Sequence, residues 1–350
     1  MAETTAKRSM PTVAASARTS LVVGGVIVGA LIVWQLSNVL LLFFGAVVAA
    51  VILRSGAKVL EDHTPVTAPW SLVLSIVVIA ALMAAFFFLL GTQIATEASS
   101  LVQRLPEMIT RLGERFGVDD LYERLAERVS QFAGGGSMAS EVAGYTSVLV
   151  SAVTNLVLVL VAGIYLAARP RRYRQGILRL IPPGLRDNAS DTFDNTGRAL
   201  RLWLLGQLVS MAIVGALTTL GLYLIGMPSA LALGFLAGLS EFVPIVGPIL
   251  SAVPAILLAL SEGGNTVFWV IGLYFAVQQI ESNVIMPLVQ RRTVDLPPVL
   301  TLFALLALGV LFGPLGVLLA TPLTVVLYVA VNQLYLRDTL QEDVEIPGLD

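Results

Sequence analysis

Glu241 is the residue whose position most needs a chemical explanation. It follows the apolar run Ala230–Ser240 and directly precedes Phe242-Val243-Pro244-Ile245-Val246-Gly247-Pro248. A carboxylate in such surroundings is costly unless it binds a cation, carries a proton or pairs with a basic group. Pro244 and Pro248 lack an amide donor and break helical bonding, and Gly247 tolerates dihedrals closed to other residues. Ser240 and the carbonyls freed near Val243 and Val246 could add oxygen ligands. The plainer reading is a packed kink with a structural carboxylate.

A second polar group, Gln278-Gln279-Ile280-Glu281-Ser282-Asn283, interrupts another apolar stretch ahead of Pro287. On a helix Gln278, Glu281 and Ser282 fall at i, i+3 and i+4 and share a face, with Gln279 and Asn283 on an adjacent one. Such a stripe binds a polar solute or joins helices through hydrogen bonds. Arg291 and Arg292 are candidate partners for its carboxylate. Gln207 and Thr301 are weaker pathway candidates. The chain has no Cys and a single His, His63. No disulfide, thiolate site or His cluster can form, and neither a metal site nor a cofactor is expected. No nucleophile stands beside a base and no glycine loop is built to cradle phosphate. An enzyme is therefore not expected, and active transport would draw on an ion gradient.

The elements that position these groups follow from composition. Of 350 residues 57% are hydrophobic and only 13% charged, where soluble domains carry about 25% charge. The chain is therefore expected to be an all-α polytopic membrane protein, because a bilayer admits helices whose backbone groups bond internally. Candidate spans are 20–36 and 38–53, with a bend at Ser37-Asn38, then 70–92, 146–168, 202–226 and 264–286. The first reads as a retained span, since no small-residue cleavage site follows it. Between them, 93–142 alternates apolar and charged residues at helical spacing and reads as an amphipathic cap or a gate. Residues 169–201 carry eight Arg against three Asp. Nucleic-acid binding is the competing reading of that run, but the flanking spans favour a cytoplasmic membrane-surface loop. Lys7, Arg8, Arg18, Arg54 and Lys58 place both ends of the first pair of spans inside. The insert, with five Arg and eight acids, then falls outside.

Two apolar stretches are broken midway, one at Pro244–Pro248 and one at Gly313-Pro314. Each leg of about 15 residues measures about 22 Å, too short to cross comfortably. Charge placement makes each a re-entrant hairpin, the first entering from outside and the second from the cytoplasm. About five full spans plus two opposed hairpins is an inverted repeat, and such paired breaks point to a transport site near the midplane. The chain divides into a tail (1–19), three spans (20–92), the insert (93–142), a fourth span (143–168), the Arg-rich loop (169–201), a core (202–336) and an acidic cytoplasmic tail (337–350).

These motifs, Glu241–Pro248, Gln279–Asn283 with Pro287, and Phe312-Gly313-Pro314-Leu315-Gly316 with Thr321-Pro322, resemble those of the autoinducer-2 exporter family of bacterial membrane proteins. Pro297-Pro298 departs from the His-Pro of many members, so no histidine stands there to carry a proton. The resemblance implies a bacterial inner-membrane exporter of small polar molecules such as autoinducer-2, assembled as homo-oligomers such as pentamers. Some members resemble Na⁺(Li⁺)/H⁺ antiporters. Three readings stay open: gradient-driven solute export, cation/proton antiport, and a non-transporting or channel-like assembly. The expected partners are lipid, a small polar solute or Na⁺ and H⁺, and not nucleic acid.

Overall fold

The computed structural model describes residues 13–67, 70–81, 84, 138–262, 264–290, 294 and 296–341. Most of the 93–142 insert, Arg291 and Arg292, the end of the third span and the tail beyond 341 lie outside these residues. Among the described residues every regular element is helical. In chain order they are α1 (Val13–His63), α2 (Trp70–Ala81), α3 (Met138–Ala168), α4 (Pro170–Arg179), α5 (Arg186–Ile225), α6 (Ala230–Ser240), α7 (Val246–Glu262), α8 (Thr266–Ile280), α9 (Met286–Gln290) and α10 (Pro298–Val331). By length and apolarity Trp34–His63, Pro183–Ile225 and Pro298–Arg337 can each cross a bilayer, and the α3–α4 pair gives a fourth candidate.

The two short spans expected over 20–36 and 38–53 are one continuous helix. Neither Ser37 nor Asn38 removes a backbone bond, and the Ser37 hydroxyl donates to the Trp34 carbonyl at 2.6 Å within the helix. At 1.5 Å per residue α1 is about 77 Å long, so part of it must project beyond an apolar layer of about 30 Å. The expected loop 169–201 is also largely helical. Pro170 ends the bonding of α3, Arg169 takes φ −137° and ψ 56°, and α4 leaves at 88° to α3. Arg174 ties α4 to the start of α5, donating to Ser190 Oγ at 2.7 Å and to Asp194 Oδ2 at 2.6 Å.

α5 is the spine. α6 turns back along it after Gly226, which takes φ 82° at the end of α5. Gly234 sits on Thr219 and Gly238 on Gly215, leaving no room for a β-carbon at either glycine. Four-residue spacing on both helices makes this a small-residue crossing in which backbones meet closely. α7 then folds back along α6. Ala255, Leu258 and Ala259 of α7 return to pack with Leu222, Ala230 and Val270, so the hairpin opens at the end of α5 remote from Arg201. Its tip bends through Ile245, a β-branched residue at φ 73°, where the Val246 amide bonds the Pro244 carbonyl at 2.9 Å. This is the rare γ-turn, a strained arrangement.

α10 is long enough to span but does not run straight. Gly313 takes φ 63° and ψ −146°, a conformation essentially confined to glycine. The chain folds back so tightly that a β-carbon on Gly316 would meet the Leu308 carbonyl. Val294 and Leu296 before α10 and Val325 and Val329 near its end share a core with Ala199, Leu200 and Trp203. Asn195 donates to Gln333 Oε1 at 2.9 Å. This fold-back therefore opens at the Arg201 end of α5, opposite to the first.

Gly313→Ala is expected to destabilise the protein by about 1–3 kcal/mol. Gly272→Ala, in α8 with open space around it, should be neutral or stabilising by up to about 1 kcal/mol. Thermal unfolding of the detergent-solubilised chain measures both. Equal behaviour of the two variants would contradict the Gly313 fold-back.

Candidate functional site

Residues 266–290 wind continuously through α8, a π turn at Glu281–Ile285 and α9. Pro287 cannot donate to the Asn283 carbonyl, and the Met286 amide instead reaches five residues back to Glu281. Such π turns often accompany functional sites. Here the turn points Glu281 inward. Gln278 lies beside it, donating from Nε2 to Glu281 Oε2 at 2.9 Å. Ser282, expected on that face, is exposed, because the widened turn carries it away. Gln279 and Asn283 are also exposed and bond each other, Asn283 Nδ2 to the Gln279 carbonyl at 2.9 Å.

Glu241 is 1% exposed and Glu281 6%. Both line one small cavity, Glu241 from the tip and Glu281 from the π turn. Among the described residues Glu241 Oε2 has no hydrogen-bond donor. The cavity is lined by both glutamates, Gln278, Ser251, Tyr274 and Pro248, with free volume of about 10 Å³, close to the minimum for one water molecule. Among the described residues no basic side chain lines the cavity, and a buried carboxylate without a positive partner is costly. The first turn of α7 lies alongside, and its N-terminal dipole favours negative charge there.

The tip is held from α5. Gln207 Nε2 donates to the Glu241 carbonyl at 2.6 Å. One turn away Trp203 meets Phe242 edge to face at 6.2 Å between ring centres. Phe312 and Leu315, beside the second break, pack on the same core cluster as Phe242. The two breaks thus share a core although they open in opposite directions. Among the described residues that line the carboxylate cavity neither Gly313 nor Pro314 appears, and the Thr301 amide bonds the Pro297 carbonyl at 3.2 Å at the start of its own helix. Ser240 is half-buried, and its carbonyl accepts the Val243 amide at 3.1 Å. Tyr274 and Ser251 were not singled out from sequence. Tyr274 donates to the Ser251 carbonyl at 3.2 Å and Ser251 to the Pro248 carbonyl at 3.1 Å. The i, i+4, i+7 spacing of 274, 278 and 281 is the signal that could have found the tyrosine.

Gln207→Leu is expected to leave the buried Glu241 carbonyl unbonded and to cost about 1–3 kcal/mol. Leu208→Ala, on the exposed side of α5, should cost less. Unfolding midpoints of the two variants decide this, and a smaller loss for Gln207→Leu would contradict the anchoring role.

Comparison with known proteins agrees with this architecture. The "Putative transport protein YrrI" of Bacillus subtilis (strain 168) is 33% identical over 150 residues, 43% of this chain and 42% of its own length. The "Putative transport protein MT0215" of Mycobacterium tuberculosis (strain CDC 1551 / Oshkosh) is 31% identical over 262 residues, 67% of this chain and 69% of its own length. The "Putative permease PerM" of Escherichia coli (strain K12) is 24% identical over 236 residues, 67% and 66% of the two chains. YrrI and a second Bacillus subtilis relative are matched over about half of their length. The family model described as "AI-2E family transporter" matches residues 24–336, and this multi-pass membrane chain belongs to that transporter family.

Proposed function

We propose that the protein is an ion-coupled transporter of a small polar solute, with Glu241 and Glu281 as its coupling-cation site. The observation that carries this is the pair itself: two buried carboxyls with no basic side chain beside them in the cavity lining among the described residues, around a space of about one water. A furanose-sized solute, of the kind the autoinducer-2 reading implies, needs a wider cavity, opened by movement of the α6–α7 hairpin against α8. The cavity's size favours a second reading, Na⁺(Li⁺)/H⁺ antiport, in which the exchanged cation is itself the cargo.

Both fold-backs act as re-entrant hairpins entering from opposite membrane faces, and the contacts at the two ends of α5 support this. The Arg-bearing face is cytoplasmic in a bacterial inner membrane, with the end of α10 on it; the expected return of the N-terminal end to that face is not retained, because the start of the unbroken α1 lies about 60 Å along the helix from Arg54. Arg54, Lys58 and Arg201 line one cavity, which supports a common face for the two basic segments despite the continuous α1. Exposed Gln279 and Asn283 on a membrane helix need protein or water beside them. They support homo-oligomers packed on that side of α8.

In inside-out vesicles an imposed Na⁺ or Li⁺ gradient should drive proton movement, and Glu241→Gln should abolish it. Unchanged flux in that variant would sink the role of the carboxylate. Proteoliposomes of purified protein that moved neither ions nor labelled solute would favour a non-transporting assembly instead.

A further inference from the structure

A second cavity lies between α1 and α5, distant in sequence from the carboxylate pair. It has a volume of about 250 Å³ and is lined by Val51, Arg54, Ser55, Lys58, Glu61, Gly197 and Arg201. Three cations face one carboxylate, and that carboxylate is engaged, since Ser71 Oγ donates to Glu61 Oε1 at 2.5 Å. Among the described residues none of the three cations forms an ion pair. Two polar atoms of the lining are buried without a hydrogen-bond partner, Arg201 Nε and Ser55 Oγ. Ser55 is only 3% exposed. Buried donors are rarely left unbonded, and charges needed only to set orientation would have no reason to bury them.

The depth of the cavity is also informative. Arg54 directly follows the apolar run ending at Leu53, and Arg201 directly precedes the one beginning at Leu202. The cavity therefore sits at the boundary between apolar and polar surface, where lipid phosphates lie. Gly197 leaves its wall open, with nothing within 4 Å of a β-carbon built there.

We infer that this cavity is a binding site for a phosphate-bearing anion, held by Arg54, Lys58 and Arg201 with hydrogen bonds from Ser55 and Arg201 Nε. Basic pockets between membrane helices on the cytoplasmic side suit anionic lipid headgroups, and a soluble phosphate would use the same donors. Full-length protein in phosphatidylcholine nanodiscs provides the test, since a ligand of the folded state raises the unfolding midpoint. One arm adds phosphatidylglycerol to the nanodisc, and the other adds inorganic phosphate to the buffer.

A rise with phosphatidylglycerol alone identifies a lipid headgroup site, and a rise with inorganic phosphate identifies a soluble anion. In either case the rise should vanish in the triple variant Arg54→Gln, Lys58→Gln, Arg201→Gln and persist in Arg198→Gln, a neighbouring cation outside the lining. Gly197→Leu keeps every charge but fills the opening, and it too should lose the rise. It decides the matter if the triple variant does not fold. No rise in either arm, or a full rise in Gly197→Leu, overturns the inference.

Discussion

A helix broken in a buried setting leaves carbonyls without their usual donors, and Gln207 supplies the donor that one of them needs. Its amide on the Glu241 carbonyl fixes the tip of the first fold-back against α5. The close approach of α6 to α5 through Gly215, Thr219, Gly234 and Gly238 sets the distance at which a glutamine can reach across. Trp203, one turn before Gln207, then supports Phe242 from the same helix. Along α5, Gln207 is about 9 Å from Arg201. The site therefore lies closer to the Arg-bearing end of α5 than to the far end.

The pair chemistry rests on that placement. Glu241 comes from the tip and Glu281 from the π turn of the following helix, so neither helix alone makes a site. Each element carries a device that a continuous helix lacks: the γ-turn at Ile245 and the five-residue bond from Met286 to Glu281. Both lie next to prolines. In the proposed function a change in cation occupancy would alter the repulsion between two carboxyls in a poorly screened space. The strained tip is the natural place for that change to become movement.

Much of this was legible because breakers and buried charges are local signals. Gly313, Pro314 and the Pro244–Pro248 run declared the fold-backs, and Glu241 and Glu281 declared themselves by standing in apolar surroundings. The bend at Ser37-Asn38 was not real, since polar residues alone do not stop a helix that can bond their hydroxyls internally. Ser282 was misplaced because ideal helical spacing ignores the π turn that Pro287 imposes. Glu241 and Glu281 line one cavity from forty positions apart, and no periodicity encodes that meeting. Tyr274 and Ser251 became visible only once α7 and α8 were seen to face one another across the cavity.

The central claim is that the two carboxyls hold a single exchangeable cation between them. Infrared difference spectra of reconstituted protein, recorded without and with saturating Na⁺, test it most directly. The account predicts loss of a carboxylic-acid carbonyl band as Na⁺ replaces the proton, with the band absent from both Glu241→Gln and Glu281→Gln. A spectrum unaffected by Na⁺, or a full response in either single variant, would contradict it.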